Sequence, residues 1–88
     1  MSSWILLLSK EAEQHLLNLD KNIKLRIWEK ILWLKDNFDI ITPVPLTNKW
    51  SDHFKLRVGD HRVIYKINWG ENKLIIMDIG HRSKIYKL

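Results

Sequence analysis

The run His53-Phe-Lys-Leu-Arg-Val-Gly-Asp-His-Arg-Val-Ile-Tyr-Lys-Ile67 decides how this chain folds. Two segments alternate with period two, His53 to Val58 and His61 to Ile67, and Gly59-Asp60 separates them. Glycine at the first central position suits a type II′ two-residue turn, because only glycine takes positive φ there without steric cost. The turn predicts a hairpin register: Val58 opposite His61, Arg57 opposite Arg62, Leu56 opposite Val63, Lys55 opposite Ile64, Phe54 opposite Tyr65, and His53 opposite Lys66. Side chains alternate across a strand, so both faces can be read. Phe54, Leu56, Val58, Val63, Tyr65 and Ile67 make a core face, with His61 at its turn end. His53, Lys55, Arg57, Arg62 and Lys66 share the other face with Ile64. Opposed like charges such as Arg57 and Arg62 destabilise a sheet. The pairing calls for a compensating anion from outside the chain.

Outward from the hairpin, the chain of 88 residues, 45% of them hydrophobic, suffices for one domain (1–88) with a single modest core. It has no cysteine, which excludes a disulfide scaffold, thiol chemistry and cysteine-based zinc sites. The apolar run Trp4 to Leu8 is too short for a signal-peptide core or a membrane span, so a soluble cytoplasmic protein without membrane contact is expected. The net charge of +5 is unevenly placed. Six basic residues balance six acidic ones through Pro45, whereas nine oppose four from Leu46 onward. That asymmetry points to a nucleic-acid or acidic-protein partner, against the plainer reading of a solvated basic surface.

Trp4 to Leu8 reads as a strand covered on both faces or central in a sheet. Ser9 caps a first helix with Glu11 and Glu13 in its first turn, and Asp20 caps a second that runs to about Phe38. Ile23, Ile27, Ile31, Leu34 and Phe38 form its buried stripe, widened by Trp28 and Leu32. Trp28 and Trp33 are expected to pack rather than stack on a ligand. Thr42-Pro43-Val44-Pro45 breaks the pattern and leads to the hairpin. After a turn at 68–72, Lys73 to Ile79 reads as a third strand, with Ile75, Met77 and Ile79 on one face and Leu74, Ile76 and Asp78 on the other. Gly80 ends it and a basic, aromatic tail follows. The expected class is α+β with the order β-α-α-β-β-β. A two-helix hairpin packs on one face of an antiparallel sheet, and the other face is open.

On that open face His53, Lys55, Arg57 and Arg62 stand with His81, Arg82 and Tyr86 of the tail. Arginine binds phosphate bidentately, and a tyrosine ring can stack on an unpaired base. Such a set suits single-stranded RNA, whose 2′-hydroxyl can serve as nucleophile when a proton acceptor, a donor to the leaving oxygen and surrounding cations are present. No metal site is expected, since the histidines lack ligand spacing and a carboxylate cluster. No cofactor fingerprint exists. His15 reads as a packing or surface residue and His61 as structural, while His53 and His81 stay open between structure and chemistry.

Lys-Leu-Arg-Val-Gly-Asp-His-Arg-Val-Ile-Tyr (55–65) and Ile-Gly-His-Arg-Ser-Lys-Ile-Tyr (79–86) together resemble the signature of the RelE family in the RelE/ParE toxin superfamily. The length and element order match as well. The resemblance implies a type II toxin that enters the ribosomal A site and cuts mRNA without metal or cofactor. It leaves a 2′,3′-cyclic phosphate and a 5′-hydroxyl. By position it assigns base and phosphate-binding roles to His53, Lys55 and Arg57, and transition-state charge to Arg62. Arg82 would stabilise charge or donate the proton, and Tyr86 would stack on a codon base. Lys66, His81 and Lys84 add RNA contacts. The implied partners are the ribosome, its mRNA and a short acidic RelB-like antitoxin, through which an otherwise monomeric toxin oligomerises. His53 replaces a second lysine of one RelE pattern, and His61 replaces the commoner tyrosine of Gly-Asp-Tyr-Arg. Two other readings stand beside this one: a ParE-like inhibitor of DNA gyrase, whose members generally lack the Lys55, Arg62, Arg82 and Tyr86 set, and a non-catalytic nucleic-acid or antitoxin-binding module.

Overall fold

A computed structural model describes residues 3–46 and 52–85. Strand β1 (Ile5–Leu8) leads into helices α1 (Lys10–Leu17) and α2 (Lys21–Asp36) and a 3-10 turn (Phe38–Ile40). Strands β2 (Val44–Pro45), β3 (Phe54–Val58), β4 (His61–Asn68) and β5 (Lys73–His81) follow, and a short helix α3 (Arg82–Ile85) closes the described chain. The helices start where the sequence puts them. The Ser9 side chain accepts the Ala12 N–H at 3.0 Å, as an N-cap should. Asp20 starts α2 through its backbone carbonyl, which accepts from Lys24 at 2.8 Å, while its side chain makes no cap bond.

The five strands form one sheet in the order β1-β5-β4-β3-β2. Its core face carries Val63, Tyr65, Leu74, Ile76 and Ile79, which pack with the α2 stripe of Ile27, Ile31 and Leu34 and with Phe38. Trp4 closes one end of this core, its ring 4.7 Å from that of Phe38 and its indole N–H donated to Asp39 Oδ1 at 2.9 Å. Trp28 packs against the core from its rim, as expected. Trp33 is 42% exposed and lies under the Lys30 ammonium, 3.9 Å from the ring centroid.

Three expectations change. The sheet is mixed, because β1 runs parallel to β5. β1 is also an edge strand rather than a central or doubly covered one: Leu6 and Leu8 join the core, but Ile5 is 49% and Leu7 43% exposed. A run that is apolar at every position hides which side is covered. The third change is in β5. Ile64 pairs with Asp78 but Tyr65 with Ile76, so Met77 is an extra residue in a β-bulge. The bulge resets the alternation, and Leu74, Ile76 and Ile79 face the core together where strict period two put Ile79 on the opposite side from the other two. It sits where β1 stops pairing. There the Ser9 N–H donates to the Ile76 carbonyl and the Ser9 hydroxyl to the Met77 carbonyl, both at 2.8 Å. One serine thus caps α1 and anchors it to the irregular part of β5.

Candidate RNA-binding face

The hairpin adopts the expected register from Phe54↔Tyr65 to Val58↔His61. Gly59 has φ of +60°, and Asp60 is not among the positive-φ residues, which is the type II′ pattern. His53 lies just before β3 rather than paired with Lys66, and its carbonyl accepts the Leu46 N–H at 2.9 Å beside β2.

This register makes Arg57 and Arg62 direct neighbours across the strands. They stand one step from the turn, in a non-hydrogen-bonded pair, where opposed side chains come closest. Both guanidinium groups turn to the same acceptor. Arg57 Nε donates to the Gly59 carbonyl at 3.3 Å, and Arg62 Nη1 reaches that oxygen at 3.5 Å and the His61 carbonyl at 3.3 Å. The turn carbonyl offsets part of their repulsion and draws two cations to one point. Among the described residues the ion pairs are His15–Asp78, Lys35–Asp36 and Lys73–Glu71, so no carboxylate neutralises Lys55, Arg57, Arg62 or Lys66. Ile64, across from Lys55 on this face, is nonetheless fully buried. It is an apolar floor between the cations.

The tail is tied to the same turn. The Arg82 N–H donates to the Asp60 carbonyl at 2.9 Å, so α3 starts against the hairpin tip with Arg82 exposed. Tyr86 lies outside the described residues. His81 and Lys84 line a cavity of about 710 Å³ that also touches His15, His61 and Asp78. His81 pairs with His61 across β4 and β5, their rings edge to face at 5.4 Å. The hairpin face carries Lys55, Arg57 and Arg62, the Arg82 backbone is tied to its turn, and His81 lines a second, smaller cavity with Arg26, Gly59 and Asp60 at that turn.

Two features had no strong signal in the sequence. Arg26 and Lys30, four apart on α2, line a groove of about 440 Å³ with Glu29, Trp33, Arg57 and Gly59 and bring two further cations beside the turn. Their spacing shows that they share a helix face, but only the tertiary fold shows that this face meets the turn. His15 accordingly is more than a surface residue, since its Nδ1 lies 2.6 Å from Asp78 Oδ1.

A family model described as the ParE toxin of the type II toxin–antitoxin system parDE matches residues 6–86. The chain belongs to this toxin family. Solved structures share the toxin's fold at low sequence identity. The RelBE2 toxin–antitoxin complex from Mycobacterium tuberculosis matches with a TM-score of 0.79 at 21% identity, over 90% of this chain and 98% of that one. The archaeal RelE–RelB complex from Pyrococcus horikoshii gives 0.72 at 22%, over 93% and 98%. The isolated RelE toxin of E. coli gives 0.75 at 15%, over 96% and 92%. No curated protein matches the sequence. The toxin is thus a type II toxin of the RelE/ParE superfamily.

The toxin's histidines are not equivalent. Burial holds the His53 imidazole below its ordinary value, the Lys66 ammonium pushes it the same way, and Asp52 opposes both. His61 is lowered by burial and by His81, with Arg26 adding to this and Asp60 opposing. A lowered value keeps an imidazole neutral near pH 7 and able to accept a proton. Burial pushes the Tyr65 hydroxyl up to about 12, consistent with its place in the core rather than in acid–base chemistry.

Proposed function

We propose that the toxin is a metal-independent endoribonuclease that cuts mRNA in the ribosomal A site. The observation that supports this best is the convergence of Arg57 and Arg62 on the Gly59 carbonyl without a carboxylate partner, beside the backbone-anchored start of α3. Two guanidinium groups held at one point fit the oxygens of a scissile phosphate, whose charge grows in the transition state. The RNA 2′-hydroxyl attacks the adjacent phosphorus, and its proton passes to His53 or Lys55. The bond to the 5′-oxygen breaks, and that oxygen takes a proton delivered on the Arg82 side. A 2′,3′-cyclic phosphate and a 5′-hydroxyl result. Arg62 stabilises the phosphorane-like charge with Arg57 binding the same phosphate beside it, Lys66 holds a flanking phosphate, and Tyr86 stacks on a base.

The partner that restrains this face is an antitoxin. Several structures of the same fold are complexes with RelB-type antitoxins. A short acidic chain that orders on binding suits an unneutralised basic surface. The toxin alone is monomeric in this reading, acts in the cytoplasm, and oligomerises through its antitoxin.

The name of the matching family favours a second reading, a ParE-like gyrase inhibitor that binds without cutting. One pair of assays separates them. Cleavage mapped on mRNA in programmed ribosomes should give cuts within A-site codons, ending in cyclic phosphate. Inhibition of gyrase supercoiling with intact mRNA on the ribosome would establish the binding reading instead.

A further inference from the structure

We propose that His81 is a positioning residue: its imidazole Nδ1 caps α3 and so holds Arg82 against the hairpin turn. The role of Arg82 rests on the nuclease reading. The cap itself rests on geometry alone.

His81 is the last residue of β5 and directly precedes α3, which makes it the N-cap. Its Nδ1 receives the Ser83 backbone N–H at 3.1 Å and lies 2.8 Å from the Ser83 hydroxyl. An N-cap side chain normally accepts from the second or third helical N–H, and Ser83 is the second residue of α3. An imidazole can do this only while Nδ1 carries a lone pair and the proton sits on Nε2. A side chain without an acceptor at this point leaves the first turn of α3 without its cap.

Its surroundings hold the ring in place. The ring meets His61 edge to face, and both residues line a small cavity with Arg26 and Asp60. Without the cap, α3 keeps one backbone tie, the Arg82 N–H to the Asp60 carbonyl, as the described link between helix and turn.

The histidine of Ile-Gly-His-Arg sets the helix on which the arginine rides, and does not itself meet the phosphate. Asparagine caps helices well, so H81N keeps an acceptor at this place.

The test compares the isotopically labelled wild type, H81N and H81A by NMR. Wild type and H81N should share the helical shifts of α3 and the Ser83 amide environment, and in H81A the helical population should fall about fivefold, as for loss of a cap. Cleavage on programmed ribosomes should fall about fivefold in H81A and be restored in H81N. Helical shifts of α3 unchanged in H81A, or an H81N protein that behaves as H81A, would overturn the proposal. Absence of cleavage by the wild type removes the nuclease reading instead, and α3 ordering, read without substrate, tells the two failures apart.

Discussion

Replacing Arg57 by glutamate should make the toxin more stable, although it removes a cation from the basic face. Arg57 and Arg62 are direct cross-strand neighbours at a close-approach position, and their shared acceptor is one neutral carbonyl at 3.3 and 3.5 Å. A directly opposed like-charge pair costs, and an opposite pair contributes, roughly 0.2–1 kcal/mol each. Reversing one sign removes the first and adds the second, for a gain of about 1 kcal/mol. Arg57 is exposed and Arg62 half-buried, so the gain belongs to the solvent-screened class and not to the larger values of buried pairs. For a domain of this size, about 1 kcal/mol raises Tm by roughly 4–8 °C. Thermal unfolding at low ionic strength should show the rise for R57E and about half of it for R57Q, which only removes repulsion. In about 1 M salt, where the screening length falls to about 3 Å, most of the gain should vanish. Binding to single-stranded RNA should weaken in both variants. An R57E protein no more stable than wild type at low salt, or one whose advantage persists in high salt, would refute the argument that these two arginines are held together against their charge.

Other outcomes follow from the same geometry. G59A should lose about 1–2 kcal/mol in urea unfolding, because φ of +60° strains any residue with a Cβ; that Cβ meets Arg26 Nη2 at an ordinary 3.5 Å, so the loss is conformational, not a clash. I31A, which empties a fully buried position beneath the sheet, should cost about 2–5 kcal/mol, a large part of the stability of so small a domain. His53 and His61 both titrate below the ordinary imidazole value in the folded chain, so the unfolded chain binds their protons more readily. Their contribution to stability is present above about pH 6.5 and is lost as the pH falls through the folded values. Urea midpoints should drop between about pH 7 and 5, and the double variant H53Q/H61Q should flatten that slope.

Local chemistry made the hairpin and the helix starts legible in the sequence. A glycine at the first turn position fixed one register, and that register alone put Arg57 opposite Arg62. Ser9 announced α1 by the cap it makes. The misread features depend on partners distant in sequence. β1 is apolar at all four positions, and nothing in Ile-Leu-Leu-Leu tells that it ends up as a parallel edge strand. The Met77 bulge comes from the junction of β1, Ser9 and β5, which one strand's alternation cannot report. For the candidate site, residue types and face were readable for Lys55, Arg57, Arg62 and Lys66, because strand alternation carried them. His81 stayed open between structure and chemistry. Its place beside His61, and the use of its Nδ1 by Ser83, arise from the β4–β5 register and the start of α3. Arg26 joined the surface only because α2 crosses the hairpin tip.

The central claim, that the hairpin's open face performs RNA cleavage, is tested most directly by single-turnover cutting of mRNA in programmed ribosomes by the wild type, R62A and K55A. With each variant's binding to the ribosome measured in parallel, R62A should bind but cut at least about a hundredfold more slowly, as for loss of a transition-state donor. K55A should also be slowed. Cleavage by R62A and K55A at the wild-type rate would place the chemistry on another surface and contradict the account.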